Sequence, residues 1–354
     1  MCEYKKYINI SSFYVEIIGK CNLKCVYCYN DSTANSNAKI PLETIDKIIK
    51  YCKNNQIPII EVSGGEPLLH EDFAQIMDHI YMSGRKARLV SNATFFPKQL
   101  HILEKYNPTI QTTLDGYNAD INDKQRGEKS FEKILSGIEC LLNSKYDGKL
   151  IVRHNISLNN RVYIREFVEF MYRLGIRNIL FETINHMGRA LENDGIIFDK
   201  GIFIKEYFET KELIDELREK YRDMDLQGIY DPVSTCGYFD IYHRKKTDIS
   251  IRVDVNGDIF PCQFMDKKEM AIGNIYESSI EEIILNSRYE EFISMIGQRK
   301  KSERMMCNKC ILYNYCNGGC PARAIMRCGD IMKTDGYCNL RKGILAKKIR
   351  SMDT

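Results

Sequence analysis

Hydrophobic and polar positions alternate with two different periods over the first half of this chain. Residues 13–18, Phe-Tyr-Val-Glu-Ile-Ile, are mostly β-branched and aromatic, the composition of a strand. Within residues 41–52, Ile45, Ile48, Ile49 and Cys52 recur at i, i+3, i+4 and i+7, one face of an amphipathic helix that places Cys52 in the core. The pair of patterns then repeats. Strands are expected at residues 57–62, 86–90, 109–114, 149–156 and 177–183. Helices are expected at residues 72–82, 98–106, 130–143 and 163–174, with Phe131, Ile134, Leu135, Ile138 and Leu142 turned inward in the third of these. Six such alternations in about 190 residues are the mark of βαβ units on a parallel sheet. Eight would close a barrel and six leave an open arc, so the expected fold class is α/β, a partial (β/α)6 TIM-like barrel. Functional groups in such folds sit on the loops after the strands.

The pattern changes downstream. Residues 201–223 read as a charged, helix-like connection, and residues 249–255 and 258–260 flank Asn256-Gly257, the strongest short hairpin signal. Short helices are expected near residues 279–286 and 288–296, and a last helix from about residue 339. The organisation this implies is a core over residues 1–195, a helical connection over 196–230, and a small cysteine-rich domain with a β-hairpin and a C-terminal helix over 231–354.

Composition adds limits. With 44% hydrophobic and 28% charged residues, the chain can bury a sizeable core. A net charge of +3 implies neither a nucleic acid nor a membrane surface as partner. The first twenty residues carry Glu3, Lys5, Lys6 and Glu16, and no apolar run approaches eighteen residues, so neither a signal peptide nor a membrane span is expected. Fourteen cysteines in such a chain point to metal or redox work in a reducing, cytoplasmic compartment, not to a disulfide framework.

The cysteines carry the chemistry. Cys21, Cys25 and Cys28 stand in a Cys-x3-Cys-x2-Cys spacing directly after the first strand. Soft thiolates on one short loop can hold three corners of an iron–sulfur cubane, leaving a fourth iron for a substrate or cofactor. The spacing also matches a helical core stripe, and zinc takes closely spaced cysteines as well. Gly19, Asn22, Asn30 and Asp31 argue against a packed helix, and three ligands are one short of a closed zinc site. A second group comprises Cys307-x2-Cys310-x5-Cys316-x3-Cys320, with Cys236 and Cys262 upstream and Cys338 downstream. This region shows little apolar core and would need inorganic staples. Taken alone, it fits zinc and iron–sulfur equally well.

With Tyr27 immediately before its last cysteine, the first motif resembles that of the radical S-adenosylmethionine enzymes, and the likeness runs over about residues 13–340. The seven C-terminal cysteines resemble the SPASM extension of a subset of that family, which carries two auxiliary 4Fe–4S clusters. The resemblance implies three clusters in all. Cys21, Cys25 and Cys28 hold the one that binds S-adenosylmethionine. Cys307, Cys310, Cys316 and Cys338 hold one auxiliary cluster, and Cys236, Cys262 and Cys320 hold the other, whose fourth ligand is not assigned. Residues 240–243, where some relatives supply a further cysteine, offer none. It further implies that Ser63-Gly64-Gly65-Glu66-Pro67 receives the cofactor amino group, Ser91 and Asn92 its ribose, and Thr113 its carboxylate, with Arg126 a looser candidate. Gly188-Arg189-Ala190 also matches these relatives. His154, Glu182 and His186, at strand ends on the expected active face, are the catalytic candidates, each weighed against an ordinary structural role. Cys2, Cys140 and Cys328 have no assigned role.

By the same resemblance, the chain uses one electron from a low-potential donor such as flavodoxin or ferredoxin to cleave S-adenosylmethionine. The resulting 5′-deoxyadenosyl radical removes hydrogen from a peptide or protein, most readily in maturation of a ribosomally made peptide. Relatives that mature sulfatases carry an Asp directly after the cysteine matching Cys262; here Gln263 stands there, and an amide is no base at neutral pH. The short segment before the first strand leaves no room for an N-terminal leader-peptide domain, so a separate leader-binding protein or direct binding is expected. The alternatives are a small-molecule substrate or, outside enzymes, an iron–sulfur electron carrier or zinc-binding module. A carrier would have no use for the Gly64-Gly65-Glu66 cofactor site. The basic last helix, with Arg341, Lys342, Lys347, Lys348 and Arg350, is a solvated face or a contact for an acidic reductase.

Overall fold

One continuous sheet organises the molecule. Its strands are β1 (Ile8–Ile18), β2 (Ile59–Gly64), β3 (Lys86–Val90), β4 (Thr109–Thr113), β5 (Leu150–Ile156), β6 (Asn178–Thr183), β7 (Asp225–Gln227), β8 (Thr247–Val253), β9 (Asp258–Phe260) and β10 (Gly273–Asn274). They lie in the order β10-β9-β8-β1-β2-β3-β4-β5-β6-β7. Every neighbouring pair from β8 across to β7 is parallel, and only the β8–β9 and β9–β10 pairs are antiparallel. The structure, a computed structural model, describes residues 3–185, 187–196, 204–229, 236–299, 306–310 and 313–350.

The six expected βα units are present as a partial barrel. Helices Leu42–Asn54, Phe73–Met82, Phe96–Tyr106, Ser130–Leu142 and Ile164–Arg173 cover the sheet with the faces that periodicity indicated, Ile45, Ile48, Ile49 and Cys52 being buried in the first. In Ser130–Leu142 the buried stripe is Ile134, Ile138 and Leu141, while Leu142 is 40% exposed, against expectation. Leu142 is one residue beyond the stripe and so turned about 100° away from it.

Three features were not expected. Helix Ala119–Arg126 has a polar sequence with no apolar stripe and starts on the Asn118 side chain, which accepts from Ile121 N. Strands β7 and β10 are too short to show a period. Strand β8, from the cysteine-rich region, pairs in parallel with β1 from Ile8↔Thr247 to Val15↔Val253, so β1 begins five residues before Phe13. The hairpin at Asn256-Gly257 forms as expected between β8 and β9.

The C-terminal region also has more core than its sequence suggested. Ile280, Ile283, Tyr289, Phe292, Ile293 and Ile296 are buried and continuous with the barrel core. Only around Cys307 and Tyr313 does the packing thin to a small separate cluster. Among the described residues no helix is long and apolar enough to cross a membrane.

Candidate functional site

The loop after β1 is gripped from two sides. At the end of β2, Gly65 N donates to Ile18 O (2.6 Å) and Glu66 N to Lys20 O (2.8 Å). A Cβ on Gly65 would drive into the Lys20 carbonyl, so glycine is required for this approach. On the other side, Arg189 N donates to Cys28 O (3.0 Å) and Arg189 Nε to Cys25 O (2.8 Å). The same guanidinium reaches Asp31 Oδ1 (2.7 Å) and Ser32 O (3.0 Å). Gly188 precedes it at φ 51°, where a Cβ would meet the Cys28 and Tyr29 carbonyl oxygens. The Gly188-Arg189-Ala190 match thus has a physical content: it clamps the three-cysteine loop.

A cavity of about 420 Å³ opens at this end of the sheet. Cys21, Tyr27, Cys25, Cys28, Gly64, Gly65, Ser91, Asn92, Thr113 and Arg126 all line it, as does Glu182. Tyr27 donates to Asp115 Oδ2 and accepts from Arg126 Nη1 (2.8 Å). Two donors reach the Cys21 sulfur, Leu23 N (3.5 Å) and Asn92 Nδ2 (3.8 Å). Burial pushes the Cys21 thiol up to about 12.

Glu66 differs from the expectation. It is fully buried behind the wall, not on it. Its carboxylate accepts from Ser91 Oγ (2.8 Å), Asn92 N (2.7 Å) and Leu68 N (3.2 Å). Burial pushes it up to about 7, against the pull of those hydrogen bonds. In this geometry Glu66 fixes the two residues after β3 and offers no free oxygen to the cavity.

His154 also lies elsewhere. It is buried on the helix side of β5 between Phe167 and Phe181, with Nδ1 at 3.2 Å from Leu114 O. Burial pushes its pKa down. Its neighbours Arg153 and Asn155 line the cavity instead, and Arg153 pairs with Glu182. Strand alternation was the available signal: if 153 and 155 face inward, 154 cannot. His186 and Cys2 lie outside the described residues. Cys140 is half-buried and Cys328 exposed.

Sequence reasoning missed a second network on the wall. Tyr14 and Tyr29 share a hydrogen bond and both line the cavity, and Tyr14 also bonds Ser63 Oγ (2.6 Å). Burial pushes the Tyr14 phenol up to about 12. Behind them, Arg252 of β8 donates to Glu16 of β1 through Nε (2.8 Å) and Nη2 (3.2 Å), to Asn30 Oδ1 (3.3 Å), and to Met265 O. This bridge brings the loop carrying Gln263 and Phe264 onto the rim of the cavity.

The remaining cysteines gather in two places. Cys307, Cys310, Cys316 and Cys338 ring a second, small cavity with Arg341 and Lys342. Cys236, Cys262 and Cys320 come together beside the hairpin, and burial, then Cys320 and Cys262, push the Cys236 thiol up. Burial and Cys320 push the Cys262 thiol up to about 12. Among the described residues no group of three or more His, Cys, Asp or Glu side chains closes on a single metal ion. The donors are all thiols, buried at Cys21 and Cys307 and half-buried elsewhere, a soft set that fits iron–sulfur clusters, and binding would release their protons.

An open parallel sheet with three thiols after its first strand, and all-thiol groups beyond its last barrel strand, defines a class of iron–sulfur barrel proteins. The chain carries a Radical SAM superfamily domain, matched over residues 15–174, and the iron–sulfur cluster-binding SPASM domain, matched over residues 245–311. It is similar to the antilisterial bacteriocin subtilosin biosynthesis protein AlbA of Bacillus subtilis, 26% identical over 317 residues, which are 86% of this chain and 66% of AlbA. The chain therefore spans just under two thirds of that relative's length. The AdoMet-dependent heme synthase of Methanosarcina barkeri is 25% identical over 361 residues, covering 93% of this chain and 96% of the synthase. Among solved structures, native anSMEcpe with bound AdoMet and Cp18Cys peptide shares the fold at a TM-score of 0.71, with 18% identity over 98% of this chain and 99% of that one.

Proposed function

We propose that the cavity binds S-adenosylmethionine beside a 4Fe–4S cluster on Cys21, Cys25 and Cys28, and that the protein modifies a ribosomally made peptide by radical hydrogen abstraction. One observation carries the reading: a single cavity collects the three thiols, the Gly64-Gly65 turn, Ser91, Asn92, Thr113 and Arg126. When bound there, the cluster and S-adenosylmethionine supply a 5′-deoxyadenosyl radical, chemistry that belongs to the cofactors.

The protein's own share is positional. Arg189 and Gly65 hold the loop rigid, and Glu66 fixes Ser91 and Asn92. Asn92 and Leu23 donate to the Cys21 sulfur, which withdraws charge and favours the reduced cluster. Cys307, Cys310, Cys316 and Cys338 hold one auxiliary cluster, and Cys236, Cys262 and Cys320 the other. Glu182, on the wall and paired with Arg153, is the described candidate for moving a proton. Low-potential electrons come from a flavodoxin or ferredoxin, in the cytoplasm, and a separate protein can present the peptide.

A peptide substrate is supported by AlbA, a bacteriocin biosynthesis protein, and by the peptide bound in anSMEcpe. Gln263 on the rim disfavours sulfatase maturation, because the amide cannot act as the carboxylate base that the resemblance places there. The heme synthase, matched over nearly its whole length, favours a small-molecule substrate as the second reading.

Anaerobic reconstitution tests the assignment. Three cubanes predict about twelve irons per chain, falling to about eight in the Cys21/Cys25/Cys28→Ala variant. Dithionite should then yield 5′-deoxyadenosine from the parent alone. About four irons with bound zinc, or no 5′-deoxyadenosine, would sink the reading. Transfer of deuterium from a labelled peptide into 5′-deoxyadenosine separates the peptide from the small-molecule reading.

A further inference from the structure

Arg299 is a fully buried guanidinium bonded to the turn that links the two C-terminal thiol groups. It follows the helix Ser287–Gln298, and its fork donates only to main-chain carbonyls. Nη1 reaches Gly319 O (3.0 Å), and Nη2 reaches Gly318 O (3.3 Å) and Lys333 O (2.9 Å). Nε has no partner. The Gly318-Gly319 turn joins Cys316 to Cys320, and Gly319 N donates back to Cys316 O (2.8 Å). One side chain therefore pins the turn that carries a cysteine of each group.

Two other buried arginines have carboxylate partners: Arg252 pairs with Glu16, and Arg341 with Asp335. Among the described residues no carboxylate forms an ion pair with Arg299. Asp335, nearby, is occupied by Arg341 and by Cys320 N (2.9 Å). A full charge with only carbonyl dipoles around it is costly to bury, so such a group calls for a counter-charge. The turn its fork holds runs from Cys316 of one group to Cys320 of the other, so anionic clusters on these cysteines are placed to provide one.

We propose that Arg299 is the shared counter-charge of the two auxiliary iron–sulfur centres, positioning Cys316 and Cys320 through the Gly318-Gly319 carbonyls and raising the reduction potentials of both clusters. The proposal rests on the reading that these cysteines hold clusters. A cluster on thiolates is anionic and gains a further negative charge on reduction. A fixed cation on the turn that links the two centres therefore favours the reduced form of each.

The test uses the reconstituted Cys21/Cys25/Cys28→Ala protein, which isolates the auxiliary clusters, with Arg299→Gln and Arg299→Lys added separately. Gln keeps two donors without the charge; Lys keeps the charge without the fork. Redox titration followed by electron paramagnetic resonance reads each cluster. The expected result is auxiliary iron equal to the parent in both variants. In Arg299→Gln the ratio of reduced to oxidised cluster at a fixed potential should fall at least tenfold at both centres, 59 mV for a one-electron couple. Arg299→Lys should stay within about threefold of the parent, near half that shift. Loss of iron in Arg299→Gln with retention in Arg299→Lys would support the charge equally. Unchanged potentials in Arg299→Gln, a shift at one centre only, or equal damage by both substitutions would overturn the proposal. Absence of auxiliary iron from the parent would instead overturn the cluster reading itself.

Discussion

Replacing Arg252 by Met should be among the most damaging single changes in the molecule outside the thiols. Arg252 and Glu16 are 4% and 5% exposed, and they join β8 to β1 through two hydrogen bonds. The substitution leaves the Glu16 carboxylate buried without a cation, and breaking one side of a buried pair costs about 3–5 kcal/mol. It also frees Asn30 and the Met265 carbonyl, so the cysteine loop and the Cys262 loop lose a common anchor. Glu16 to Leu alone strands the guanidinium and should cost a similar amount. The Glu16→Leu/Arg252→Met double variant removes both charges and should recover most of the loss, costing less than either single variant and far less than their sum. Urea unfolding of the anaerobically reconstituted protein measures all four corners of the cycle. Burial already pushes the Glu16 carboxyl up, against the pull of Arg252. In Arg252→Met it should therefore bind a proton more readily. A raised folded pKa gives stability that is present at low pH and lost as pH rises, so the variant's deficit should be smaller at pH 5 than at pH 8. Single variants costing under about 1 kcal/mol, or additive effects in the double, would refute the reasoning.

Glu66 makes a second pH prediction. Its folded value of about 7 lies above its ordinary 4.5, so its contribution is full below 4.5 and lost as pH rises through 7. The span is worth about 3 kcal/mol, and Glu66→Gln should flatten the fall in urea midpoint over that range; an unchanged slope would show that Glu66 is not its source. Gly188→Ala combines a positive φ with collision against two loop carbonyls and should cost about 2–4 kcal/mol, with iron lost at the first cluster. Gly175→Ala, at φ 91° with open space around it, isolates the backbone cost at about 1 kcal/mol. Equal losses in the two glycine variants would remove the argument for the clamp.

The barrel was readable because its helices bury one stripe: Ile45, Ile48, Ile49 and Cys52 reveal their helix by spacing alone. Helix Ala119–Arg126 was not readable, since it is held by the Asn118 cap, by Asn122 accepting from Asp115 N and by Arg126 donating to Tyr27. Local motif spacing carried the cysteines and the glycine turn. It could not show Glu66 turning away from the cavity, because that depends on where the strand after it delivers Ser91 and Asn92. His154 was placed on the wrong face for want of a register, while Arg153 and Asn155 were hidden in an ordinary strand. The Glu16–Arg252 and Arg299 interactions join distant segments, and no periodicity encodes them.

The pairing of β8 with β1 bears on the order of events during folding. Ser11 Oγ on β1 donates to Ile249 O, a partner 238 positions later in the chain. The strand that launches the three-cysteine loop has no neighbour on that edge until the hairpin has been synthesised. Closing so long a loop is slow and leaves an open strand edge in the interim. The strand behind the three-cysteine loop is thus completed only after synthesis of β8, and a nascent chain halted before it would present its three thiols on an unfinished sheet.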